Sequence, residues 1–219
     1  MDIFKMKLLM LPGILLAFVI NGFATAYTSD KLGDPSPRSM GKLNLSPFTY
    51  IDLFGFILIL LCGFGWTKPV FTDSRYYKHP KRDTILVALS GTLGNFLLAF
   101  ICLLLCKILG LFIASNNFMS PLLDILRYAA SVNISLGFFY LIPIPPLNGF
   151  KILEALIGYK YYNVLQFLHQ YGFFILILLL FTNIMNIIIG IPATILYFFM
   201  DLITSVMIAF PMTFFKTIK

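Results

Sequence analysis

Long apolar runs dominate this chain, and a water-exposed fold could not hide them. They fall at about 8–28, 51–66, 84–113, 121–143, 171–190 and 192–211. A helix needs about 20 apolar residues to cross the hydrocarbon core of a bilayer. Five of the runs reach that length. The run 51–66 does not, and it contains Gly55, Gly63 and Gly65. It is expected to be re-entrant or interfacial, shielded by neighbouring protein. The chain is 59% hydrophobic and 11% charged, far from the roughly 25% charge of a soluble domain. The expectation is an all-α polytopic membrane protein of five to six transmembrane helices. Residues 1–219 read as one integral-membrane domain embedded in the lipid bilayer, with no soluble appendage.

The net charge of +7 does not point to nucleic acid. The basic residues sit in short loops between apolar runs, where they set orientation and meet anionic lipid. Segment 67–83 carries Lys68, Arg75, Lys78, Lys81 and Arg82, and 144–170 carries Lys151 and Lys160. Both are expected in the cytoplasm, as is the tail with Lys216 and Lys219. Segment 114–120 has no charge and is expected outside. Trp66, Tyr76, Tyr77, Tyr159, Tyr161 and Tyr162 flank the basic loops as an interfacial belt would. Five crossings then place the N-terminus outside, against which Lys5 and Lys7 argue mildly. Lys5, Lys7, an apolar core and Ala24-Thr25-Ala26 also imitate a cleavable signal peptide, although Asn21 and Gly22 interrupt the core. Cys62, Cys102 and Cys106 lie in apolar runs and read as packing residues.

Three segments carry a recognisable pattern. The first is residues 31–47, running on to Ile51 and Asp52. The second is residues 63–70, Gly-Phe-Gly-Trp-Thr-Lys-Pro-Val. The third is residues 141–149, Leu-Ile-Pro-Ile-Pro-Pro-Leu-Asn-Gly, followed by Lys151. Beside them stands Gly91-Thr92-Leu93-Gly94-Asn95. In order and spacing they resemble the site-2 protease family of intramembrane zinc metalloproteases, in its compact bacterial form. The resemblance implies a protease-like core at about 8–158, C-terminal membrane segments at about 171–211, and a small membrane-associated strand region after the first helix. It also implies a bacterial cytoplasmic membrane, with the altered site toward the cytoplasmic side.

The family's chemistry needs two His at i and i+4 on one helix face, a later Asp as third zinc ligand, and a Glu that activates the zinc-bound water. This chain departs at all four positions. Asn21 and Thr25 stand in place of the His pair, Gly22 in place of the Glu, and Asn148 in place of the Asp. Thr92 replaces a Pro and Phe150 a Gly. The two histidines, His79 and His169, lie in or beside basic segments, and no His-x-x-x-His exists to shift the register. No zinc and no other cofactor is expected. Asp124 and Arg127 are expected to pair, and Asp201 is an acid within an apolar run. A hydrogen-bonded cluster of Asn21, Thr25 and Asn148 is expected to stand in for the metal cross-link.

The resemblance also implies a groove that takes a transmembrane segment. Asn95, Pro143, Pro145, Pro146 and Leu147 are its expected residues here. The reading is a catalytically inactive family member that binds a membrane protein or peptide without cutting it. An enzyme active by an unrecognised route is the alternative, and a structural or transport role the second.

Overall fold

A computed structural model describes residues 3–62, 66–113 and 120–217. Gly63 and Gly65, and nearly all of the uncharged segment 114–120, lie outside the described residues, as does Lys219. The chain is helical almost throughout. Its helices are α1 (Ile3–Lys31), α2 (Ser36–Ser39), α3 (Pro47–Tyr50), α4 (Leu53–Cys62), α5 (Pro80–Ile113), α6 (Ser120–Tyr140), α7 (Asn148–Ile157), α8 (Tyr162–Leu180) and α9 (Ile184–Thr217). Among the described residues α1, α5, α6, α8 and α9 are long and apolar enough to cross a membrane. The protein is an all-α, multi-pass membrane protein. The expected strand region does not form: among the described residues there is no strand, only an isolated antiparallel bridge between Ile51 and Thr67.

Three helices make the centre: α1, α5 and α6 pack on one another, and α9 lies against α5 and α6. Small residues let the backbones approach, as bilayer helices require. A Cβ at Gly13 of α1 would come within 2.6 Å of Ala129 on α6, and one at Gly94 of α5 within 3.0 Å of Ile20. α5 starts at Pro80, whose missing N–H costs nothing in a first turn. The Asp83 carboxylate accepts the His79 N–H at 3.0 Å and closes that turn.

α4 explains the short run. At ten residues it is about 15 Å long, too short to cross. It runs antiparallel to α1, and the Lys7 ammonium donates to its Leu60 carbonyl at 2.5 Å. The chain then comes back. Trp66 lies so close to Gly55 that a Cβ there would sit 2.9 Å from the Trp66 nitrogen. Lys68 N–H donates to Tyr50 O at 2.8 Å. Entry and exit are side by side, as in a re-entrant hairpin. Trp66 and Tyr77 are buried rather than part of an interfacial belt: Trp66 meets Phe173 edge-on at 5.2 Å, and Tyr77 shares a hydrogen bond with Ser29.

The C-terminal runs are divided differently from the sequence reading. The break falls at Phe181–Asn183, inside the run 171–190, where Thr182 turns its hydroxyl onto Leu179 O at 2.7 Å. The expected division near residue 191 falls inside α9, which also holds Pro192. Met185 and Ile189 join the core around Leu136 and Tyr140, while Asp201 meets Lys107. α9 therefore runs antiparallel to α6 and parallel to α5. Its distal end lies at the face where α5 ends, not at the face of the basic loops expected for the tail.

Candidate functional site

Two of the three sequence patterns, 63–70 and 141–149, meet α1 at one cleft. α1 supplies Asn21, Gly22 and Thr25, and the extended stretch after the hairpin supplies Trp66, Thr67, Pro69 and Val70. α6 contributes its last residue, Tyr140. The loop beyond gives Pro146 and Leu147, and α7 gives Asn148 and Lys151. The three prolines at 143, 145 and 146 stop α6 because none can continue a helical ladder. Gly149 then lets α7 begin directly beneath the end of α6. Its Cβ would lie 2.6 Å from the Ile142 carbonyl.

The positions read from the sequence as replaced have distinct local surroundings. Thr25 donates its hydroxyl to the Asn21 carbonyl at 2.9 Å, a bond internal to α1. Asn21 is 3% exposed, and its amide nitrogen has no partner. Both side chains lie over Gly91 of α5, where a Cβ would be 2.7 Å from Thr25 Oγ1 and 2.9 Å from Asn21 Nδ2. The expected hydrogen-bonded cluster with Asn148 does not form among the described residues. The residues share a cleft, but the nearest acceptor for Thr25 is its own helix.

Gly22 is the most constrained. A Cβ there would lie 3.0 Å from Tyr50 Cγ and closer still to Cδ1 and Cε1. The Tyr50 ring is fully buried and occupies the space a side chain at 22 would need. Its hydroxyl donates to the carbonyls of Lys42 and Asn44, the latter at 3.1 Å. Those bonds hold the ring in place.

The opposite wall carries a cation. Lys151 reaches the Val70 carbonyl at 3.2 Å and Thr72 Oγ1 at 3.1 Å. Burial pushes its amine below the usual lysine range, with Glu154 and Asp34 pulling partly back. Among the described residues no carboxylate, imidazole or thiolate lines the cleft. Among the described residues no three His, Cys, Asp or Glu come together anywhere as a metal-binding group.

Of the expected groove residues, Pro146 and Leu147 line this cleft. Pro145 instead packs against Gly172 of α8, and Pro143 is exposed. Asn95, one turn beyond Gly91, is fully buried with both polar atoms unpartnered. Thr92 donates to Gly137 O at 3.4 Å across to α6. Phe150 is buried and meets His169 edge-on at 4.7 Å, and His169 pairs with Glu154 at 2.7 Å. Asp124 and Arg127 approach to 3.9 Å as expected. Asp201 is paired with Lys107 at 2.8 Å.

Two cleft residues, Lys151 and Tyr140, and one packed behind the cleft, Tyr50, escaped the sequence reading as site residues. Lys151 follows Asn148 by one helical turn, so spacing alone would have put both on one face; its loop charge drew the orientation argument instead. Tyr140 is the last residue before the proline loop. Tyr50 reaches Gly22 from 28 positions away, and no local pattern reports that.

The relatives of this chain are named as zinc metalloproteases, whereas the cleft lining holds no His, Cys, Asp or Glu among the described residues. The chain is 33% identical over 172 residues to YwhC of Bacillus subtilis, a candidate zinc metalloprotease, covering 77% of this chain and 78% of YwhC. It is 25% identical over 188 residues to Rip2 of Mycolicibacterium smegmatis, another candidate zinc metalloprotease, covering 82% of this chain and 69% of Rip2. No protein-family model and no solved structure matches the chain.

Proposed function

The chain belongs to the site-2 protease family, and from that premise we propose that it is an inactive member that holds a membrane protein or peptide without cutting it. The observation carrying this reading is the Tyr50 ring over Gly22. It fills the place where the family's base would stand, so inactivity is built into the packing as well as into the residue types. The metal positions agree. Neutral amide and hydroxyl groups are poor zinc ligands. A dication beside the Lys151 ammonium would have no anion to balance it in a low-dielectric cleft. The residues present do not fit zinc, and no step through a metal is derived.

The groove is what remains for the family's fold to offer. Pro146 and Leu147 stay at the cleft, and the charge of the basic loops supports reading it as facing the cytoplasmic side of a bacterial cell membrane. The test combines two measurements on the chain purified in lipid nanodiscs. Metal analysis is expected to find zinc well below one per chain, and a single-span membrane substrate is expected to remain intact. Photo-crosslinking from Leu147 in the native membrane is expected to capture one membrane protein. Stoichiometric zinc together with cleavage would overturn the reading.

A further inference from the structure

The cleft where the family binds a metal cation has, in this chain, the electrostatic character of an anion site. Its polar lining donates. The Asn21 amide nitrogen is buried and unpartnered, and the equally buried Tyr140 hydroxyl lies beside Thr67 without a hydrogen bond of ordinary geometry. Lys151 commits two N–H groups to Val70 O and Thr72 Oγ1, which leaves a third. α7 opens at the same place, and its capping residue Leu147 provides no side-chain cap. The Phe150 N–H is taken by Leu147 O at 3.1 Å, while Asn148 and Gly149 open the helix at the positive end of its dipole. Among the described residues no Asp or Glu lines the cleft.

Resting on the reading above, that the cleft receives a membrane peptide uncut, we infer that the group it holds is a carboxylate, the C-terminal end of an apolar chain. An uninterrupted transmembrane helix has its carbonyls occupied by its own ladder. A helix end has four free carbonyls and, at a chain terminus, a negative charge that needs donors and a cation when water is excluded. Asn21, Tyr140, Lys151 and the α7 N-terminus supply them. Trp66, Val70 and Leu147 supply apolar walls for the last side chain.

The experiment uses the full chain in nanodiscs, titrated with a fluorescent apolar peptide bearing either a C-terminal acid or the amide. The acid is expected to bind about tenfold more tightly or better, the scale of a hydrogen bond to a charged group. Lys151→Gln and Asn21→Asp are each expected to abolish that preference. The second substitution keeps the side chain's shape and places a competing carboxylate by Lys151, so it serves if the first fails to fold. Equal binding of acid and amide by the native chain overturns the inference. So does oleate displacing the peptide acid with higher affinity, which would assign the site to a lipid carboxylate. Cleavage of either peptide by a zinc-bearing chain would overturn the underlying reading instead. Uncut peptides bound equally would sink this inference alone.

Discussion

Replacing Gly22 by Ala tests whether Tyr50 blocks the position of the family's base. In an open helix the change would stabilise by about 0.8–1 kcal/mol through helix propensity. Here the new methyl would meet the Tyr50 ring at Cγ, Cδ1 and Cε1. The ring is buried and anchored through its hydroxyl to Lys42 and Asn44, so it cannot swing away cheaply. Overpacking of this kind costs about 1–3 kcal/mol, and the close approach places it at the upper end. The net expectation is a loss of about 2 kcal/mol. Tyr50→Ala alone should cost about 3–5 kcal/mol for the cavity. In that background the propensity gain should return, making Gly22→Ala neutral or stabilising. The coupling between the two sites is then about 3 kcal/mol in a double-mutant cycle, read by reversible unfolding in bicelles. An equal cost of Gly22→Ala in both backgrounds would refute the argument. It would also reopen the possibility that Glu could be accommodated at 22.

Three further outcomes are expected. Asp34 accepts from Ser29 at 2.9 Å, from Ser36 N–H at 2.9 Å and from Asp73 N–H at 2.8 Å. Burial pushes its carboxyl up, but these bonds outweigh it and hold the pKa below the ordinary aspartate value. A depressed folded pKa contributes stability above the unfolded value and loses it as pH falls through the folded one. Thermal unfolding of the native chain minus Asp34→Asn should therefore converge in acid and separate toward pH 6; a constant difference would count against it. Asp201→Asn should destabilise more than the double change with Lys107→Met, because the single change removes the ammonium's counter-charge and leaves it only the backbone carbonyl at 201 and the Ser205 hydroxyl; the reverse order in an unfolding assay would show that the pair does not operate as one. Asn21→His alone should retain no zinc after gel filtration, measured by elemental analysis, and a full equivalent would contradict the donor argument.

Much of the architecture could be read from residue patterns because membrane helices announce themselves by length. The 51–66 run was legible as re-entrant for the same reason: ten helical residues cannot cross. The C-terminal break was not. The apolar runs divided near residue 191, beside Pro192, yet a proline inside a membrane helix can have its freed carbonyl served by neighbours, whereas Thr182 ends α8 by turning its hydroxyl onto the Leu179 carbonyl. At the site, Asn21, Gly22, Thr25 and Asn148 were found by matching neighbours, and the fold does bring them together. What filled the vacated space was invisible. Tyr50 and Lys151 act through tertiary contacts, and their sequence surroundings suggest only a turn and a basic loop.

The Lys107–Asp201 pair joins α5 to α9, and it bears on how the protein is made. A lone aspartate or lysine at the middle of a membrane helix costs about 2.5–3.5 kcal/mol on insertion. α5 leaves the ribosome long before α9, so its ammonium is already in place when Asp201 arrives. The last helix thus completes a neutral pair upon entering, and the earlier one is relieved of an unbalanced charge. Biogenesis of the C-terminal segment is tied to a helix some 90 residues upstream, a separation set by the partners Lys107 and Asp201. The order of synthesis becomes part of what makes the finished bundle stable.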